Sequence, residues 1–241
     1  MKLLFTILLF LPTIVFTQIK NGNNIEYKLY KVSKDKVSYA ESGISDKVDT
    51  IIYSLRLGKE DSYFSPIRKI TNEQTFKLNL SEIFIETFGE FYTDYNEKKV
   101  YNLKEFEGKL FSVVNNFDIN DWKLESDSVY VNGYKCKKVT YTKIENYNDG
   151  DSNPYIISVW YSDELYNRIS PFGLTGLPGG IVKVDFNGFV QSIIGTFKNE
   201  TNIKTKPNNF GKLVTEKEFD QIQDDYYKNL RNQRNSRVDR S

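Results

Sequence analysis

The chemistry open to this chain is bounded first by two counts, one cysteine and no histidine among its 241 residues. Without imidazole, Ser-His-Asp and Cys-His catalysis, His-ligated zinc and imidazole pH sensing are excluded. Carboxylate acid–base chemistry and oxygen-ligated metals stay open. Asp149-Gly150-Asp151-Ser152-Asn153 opens like a calcium loop. However, Pro154 stands where the loop needs a glycine, and Trp160 where it needs a bidentate glutamate. The stretch therefore reads as a solvated turn, and no metal site is assigned. Glu82, Glu86 and Glu90 recur at every fourth position, and Glu216, Glu218, Asp220, Asp224 and Asp225 cluster near the C-terminus. Both sets read as exposed faces, so no catalytic residue is assigned. A carboxylate-dependent hydrolase stays the alternative function, since two carboxyl groups in one cleft would suffice for glycoside hydrolysis. Gly176, Gly179 and Gly180 lack the helix start and lysine of a phosphate-binding loop, and no cofactor is expected.

The thiol, Cys136, follows Asn132-Gly133, a strong two-residue hairpin signal. That loop sets Val131 opposite Tyr134 and Val129 opposite Cys136, all on one face, with Tyr130 and Lys135 on the other. Cys136 then reads as a small core residue, and the flanking Lys135 and Lys137 point away from it. Beyond it the apolar parity moves to Val139 and Tyr141, which requires a β-bulge near Lys137-Lys138. A lone cysteine forms no internal disulfide, so the fold must rest on its core.

The stretch Pro171–Phe197 carries the remaining candidates. Leu177 is extended because it precedes a proline. Pro178-Gly179 suits the centre of a type II turn, with positive φ at Gly179. Ile181 to Phe186 is a strand, Asn187-Gly188 a two-residue turn, and Phe189 to Phe197 the return strand. This register sets Phe186 opposite Phe189 and Val182 opposite Ile193. Val182, Val184, Phe186, Phe189, Ile193 and Phe197 would share the buried face. Phe172, Leu174 and Leu177 are apolar within a loop, where polar residues are usual. With Gly176, Pro178, Gly179 and the upstream Trp160 they form the candidate ligand- or partner-binding set. The favoured reading is a loop folded back to cap an open sheet, with its leucines as plugs. The other is a binding lip.

Gly176-Leu177-Pro178-Gly179-Gly180 also has company upstream. Trp122-Lys123-Leu124, then Val131-Asn132-Gly133-Tyr134-Lys135-Cys136-Lys137-Lys138, then Trp160-Tyr161-Ser162-Asp163 precede it in that order. Together these segments resemble the GLPGLI family of exported bacterial proteins over about half of the chain. The family's second leucine is Gly180 here, and no arginine lies between Cys136 and Trp160, where the family pattern has one. The family carries no assigned activity, so the resemblance brings over no catalytic residue. Its usual leucine implies ordinary negative φ at position 180, and hence tolerance of Gly180→Leu.

The elements that would position these residues are mostly strands. Residues 1–17 have one lysine, an apolar run and Val15-Phe16-Thr17, the pattern of a cleavable signal peptide. Residues 18–241 would form one exported domain, periplasmic or secreted, with no transmembrane segment after cleavage. The formal net charge of +1 falls to neutral without Lys2, which argues against nucleic acid as a partner. Strands are expected over 25–33, 50–57, from 62, over 90–95, 99–103, 106–114 and 155–161, while 71–88 stays ambiguous. Thr215-Glu216-Lys217-Glu218 has the capping-box pattern, and Phe219, Ile222, Tyr226 and Leu230 follow on one helical face, predicting a helix over 215–234. Arg231, Arg234, Arg237 and Arg240 end the chain as a basic, solvated tail. The expected fold is mainly β: a single antiparallel, strongly curved sheet or half-barrel, carrier-like, with one C-terminal amphipathic helix on or beside its concave face. A two-sheet sandwich is the alternative. The function expected is a non-enzymatic envelope protein that binds an apolar ligand or an envelope protein partner.

Overall fold

The computed structural model describes residues 23–31, 50–67, 87–117, 122–146, 152–188 and 190–238. The signal-peptide stretch, most of the ambiguous 71–88 segment with Glu82 and Glu86, the first residues of the calcium-like loop, Phe189 and Arg240 lie outside them. The strands are β1 (Asn24–Lys31), β2 (Ile51–Leu57), β3 (Asp61–Pro66), β4 (Glu90–Asp94), β5 (Lys99–Phe106) and β6 (Lys109–Asn116). They continue as β7 (Lys123–Val131), β8 (Tyr134–Asn146), β9 (Ser152–Ser162), β10 (Gly180–Phe186), β11 (Val190–Lys198) and β12 (Lys212–Val214), and helix α1 (Glu216–Val238) follows. All twelve strands join one open sheet in the order β12-β6-β5-β4-β3-β2-β1-β11-β10-β9-β8-β7. The protein is thus mainly β with one C-terminal helix. The sheet is mixed rather than wholly antiparallel, because β12 pairs with β6 in parallel.

Alternation sets the faces. In β2, Ile51, Tyr53 and Leu55 are buried, and in β1 Ile25, Tyr27 and Leu29 are, so both strands turn one apolar side to the main core. Register carries that face outward to β6, where Asn102 lies opposite Val113 and Lys104 opposite Phe111. Helix α1 packs there, its buried Phe219 ring 5.4 Å from Phe111. Its start is held as the sequence implies. The Thr215 N–H donates to Glu218 Oε2 at 2.7 Å, and the Glu218 N–H donates to Thr215 Oγ1 at 3.2 Å. The opposite face carries a second cluster of Tyr63, Tyr92 and Leu103, covered by Phe210.

The two Asn-Gly hairpins differ. At Asn132-Gly133 the pairs are Val131 with Tyr134 and Val129 with Cys136, as the two-residue loop requires. The bulges opposite Lys138 are present, but the extra residues lie in β7 rather than β8. At Asn187-Gly188 the expected register is wrong. Phe186 pairs with Val190 and Lys183 with Ile193, so the loop has three residues instead of two. One extra residue reverses a strand's faces. Val190, Ser192 and Ile194 are therefore buried, and Ile193 lies opposite Lys183. A register shift beyond Ile194 then pairs Phe197 with Ile25, which returns Phe197 to the core side.

Candidate functional site

The connection from Asp163 to Gly179 leaves β9 and folds back over the core face. It is tied at both ends: the Gly180 N–H donates to the Leu165 carbonyl at 3.1 Å and the Ile181 N–H to the Ile169 carbonyl at 2.8 Å. In its middle, Pro171–Gly173 forms one 3-10 turn. Phe172 holds φ 57° and ψ 20°, a left-handed conformation that is uncommon for a bulky residue. This backbone aims its ring into the hollow of the sheet. The ring centroid lies 6.1 Å from that of Tyr53, 4.6 Å from Phe64, 6.0 Å from Phe91 and 4.9 Å from Phe186. Phe88 adds a fifth ring at 5.6 Å. One loop residue thus touches β2, β3, β4 and β10.

Of the residues singled out in the sequence, Phe172, Leu177 and Gly179 are buried, and Leu174 packs half-buried against the same core. Gly176 and Pro178 are exposed. Trp160 is half-buried at the edge of the same cluster but projects differently. It alternates with the buried Val159 and Tyr161 and pairs with Lys183 and Lys138, so it stands on the other face. The turn chemistry also needs correction. Positive φ falls on Gly176 (+87°) and not on Gly179. Gly179 is required for space, since a Cβ there would meet the Ser162 carbonyl oxygen at 2.2 Å. At Gly180 a Cβ would meet Leu165 Cβ at 2.6 Å and the Tyr166 carbonyl oxygen at 2.8 Å. Negative φ at position 180 therefore does not make a leucine tolerable.

Beside the exposed part of the turn lies a cleft of about 370 Å³, lined by Tyr95, Phe117, Asn167, Arg168, Thr175 and Gly176 to Pro178. Its floor is organised by Tyr95. The phenol lies 3.0 Å from the Arg168 carbonyl, 3.1 Å from Ser62 Oγ and 3.2 Å from Ser170 Oγ. Burial raises its pKa despite the Ser170 and Ser62 hydroxyls, so the phenol stays protonated and donates. The Arg168 guanidinium lies 4.6 Å above the Tyr95 ring and 5.7 Å from that of Tyr166, and donates to the Lys59 carbonyl. Among the described residues, none that lines the cleft is a carboxylate. The cleft can accept hydrogen-bond acceptors at Arg168 and Asn167, stack a flat group at Phe117, and approach the bare backbone at Gly176.

Sequence reasoning missed Tyr95, Phe117, Asn167, Arg168 and Thr175. The available signal was Asn167-Arg168, a polar pair just upstream of the apolar residues Ile169, Pro171, Phe172 and Leu174. Tyr95 and Phe117 come from distant turns, and only the sheet brings them here, with ring centroids 5.8 Å apart. The remaining candidates are placed elsewhere. Cys136 is buried in the main core, where loss of solvation pushes its thiol up to about 11. Glu90 accepts a hydrogen bond from Tyr63, and Glu216, Glu218, Asp220, Asp224 and Asp225 are exposed on α1. Among the described residues no group of His, Cys, Asp or Glu could hold a metal, and no helix is long and apolar enough to cross a membrane.

No protein-family model matches the chain, and no curated protein matches it. Among solved structures it is similar to PNGF-II in the P21 space group, at 14% identity over 80% of this chain and 31% of that one, with a TM-score of 0.44. For PNGF-II in the C2 space group the values are 13%, 83%, 32% and 0.45. The chain thus spans about a third of the length of these two structures.

Proposed function

We propose that this is an exported, non-enzymatic envelope protein of the GLPGLI type that meets a protein partner at the cleft under Gly176-Leu177-Pro178. The observation that carries the reading is the position of Phe172. Its ring and its aromatic neighbours occupy the hollow where an apolar ligand would sit. What stays open to solvent is the polar cleft beside the turn, with Arg168, Asn167 and exposed backbone. Such groups suit the peptide bonds and carboxylates of a partner chain.

Two observations support a strongly curved, half-barrel sheet. Phe91 and Phe186 flank the Phe172 ring at 6.0 and 4.9 Å, yet β4 and β10 lie five strand steps apart, about 24 Å along a flat sheet. The β7–β8 turn also reaches β11, where Asn132 Nδ2 donates to the Ile194 carbonyl at 2.8 Å. The donors and bare backbone that line the cleft, at Arg168, Asn167 and Gly176, support recognition over the hydrolase alternative.

The test is a photo-crosslinking residue at exposed Pro178, with exposed Thr196 as the control, in the producing cell. A discrete adduct from Pro178 and none from Thr196 is expected. Solvent extraction of the purified protein, followed by mass spectrometry, should find no stoichiometric lipid. Stoichiometric lipid, or identical adducts from both positions, overturns the reading. Export is tested separately: N-terminal sequencing should find a start at or near Gln18, and an intact Met1 would refute it.

A further inference from the structure

We infer that the other face of the sheet carries a second binding site, a line of lysines that takes an extended acidic polysaccharide. Strand register places Lys138, Trp160, Lys183, Ile193 and Lys28 in one row across β8, β9, β10, β11 and β1. The row runs perpendicular to the strands. Lysines recur at every second strand, about 10 Å apart, with an apolar side chain between each pair. The Lys183 ammonium lies 4.7 Å and the Lys138 ammonium 5.4 Å from the centre of the Trp160 indole.

Among the described residues, Lys28, Lys138 and Lys183 make no ion pair. The nearby carboxylates are engaged elsewhere. Asp185 accepts from the Gly188 N–H and from Gln191 Nε2, each at 2.6 Å. Glu26 pairs with Lys198 and accepts from Thr196, and Lys28 attracts it more weakly. Three cations at regular intervals, with Lys198 beside Glu26, outnumber the carboxylates Glu26 and Asp185 on this face and leave it an excess of positive charge. Alternating cation and apolar side chain matches a linear ligand with alternating anionic group and apolar sugar face. A basic patch for a membrane would spread its unpaired cations over the face, whereas here Lys28, Lys138 and Lys183 form a single row, and Lys123 and Lys198 on the same face are paired with Glu125 and Glu26.

The site is independent of the cleft at Pro178, which involves none of its residues. The test uses polygalacturonate oligomers, neutral dextran and phosphatidylglycerol vesicles as probes. The protein should bind polygalacturonate, with a change in tryptophan emission, and should ignore dextran. Trp122→Phe should keep that emission change and Trp160→Phe should lose it. The double variant Lys138→Gln/Lys183→Gln should bind about tenfold more weakly. Lys109→Gln/Lys217→Gln, which removes the same charge from exposed positions elsewhere, should bind as the parent does. Melting curves check that each variant is folded. Equal losses in both double variants, an emission change that survives Trp160→Phe, or a preference for vesicles over polysaccharide would overturn the inference.

Discussion

At the scale of single residues, two glycines adjacent in sequence are required for space and a third for its backbone conformation. Gly179 and Gly180 lie against backbone and packed side chains, so Gly179→Ala and Gly180→Ala each force neighbours apart, at a cost of about 1–3 kcal/mol or more. Gly133 has φ +83°, and a Cβ there would meet nothing within 4 Å, so Gly133→Ala should cost only the left-handed penalty, about 1–2 kcal/mol. Denaturant midpoints should rank the 179 and 180 variants below the 133 variant. The reverse order would mean that φ, not space, governs the turn. Cys136 gives a second residue-scale test. Its thiol is buried and raised to about 11 by loss of solvation, so little thiolate forms at neutral pH. A thiol reagent should label it only after denaturation, and rapid labelling of the folded protein would contradict its packing in the core.

At the scale of elements, α1 is held at its start by the reciprocal Thr215–Glu218 bonds and along its body mainly by Phe219 on β6 and Phe106. The hydrogen bonds from Thr215, first from its N–H and then from its hydroxyl, lower the Glu218 pKa below its usual 4.5. A depressed carboxylate contributes stability that is fully present above the unfolded-state pKa and is lost as pH falls through the folded value. Far-UV circular dichroism should therefore find helix lost through the acid range in the parent, with no such step in Glu218→Gln. An identical acid step in both would remove Glu218 as its cause. This cap was legible in the sequence because it is local. The Asn132-Gly133 register was legible for the same reason, since a two-residue loop fixes its own pairing. The register after Asn187-Gly188 was not. Ile193 and Ile194 offer an apolar residue to either face, so pairing with β1, where Ile194 meets Tyr27, decides which one is buried. The cleft was illegible for a related reason, because Tyr95 and Arg168 become neighbours only through the packing of the loop on the sheet.

At the scale of the whole molecule, the fold turns on one ring in an unfavourable backbone conformation. Phe172 sits at φ 57° in a turn tied down at both ends, and a left-handed bulky residue persists only where its surroundings over-determine it. Those surroundings are the rings of Tyr53, Phe64, Phe88, Phe91 and Phe186, which reach it on one face from as far apart in the sheet as β4 and β10. Removing the ring should therefore do two things at once. Phe172→Ala should cost about 3–5 kcal/mol, because a large buried side chain leaves a cavity that strands held in register cannot collapse to fill. That cavity should be dry and apolar, and should take up a small apolar molecule such as benzene. Benzene should then raise the melting temperature of Phe172→Ala while leaving the parent unchanged. Phe172→Leu should fall between the two in stability and take up less benzene. If the parent itself gains stability from benzene, the hollow is already open and an apolar ligand belongs there. If Phe172→Ala loses little stability and gains nothing from benzene, the sheet closes without its plug, and the ring only fills space that other side chains would have taken.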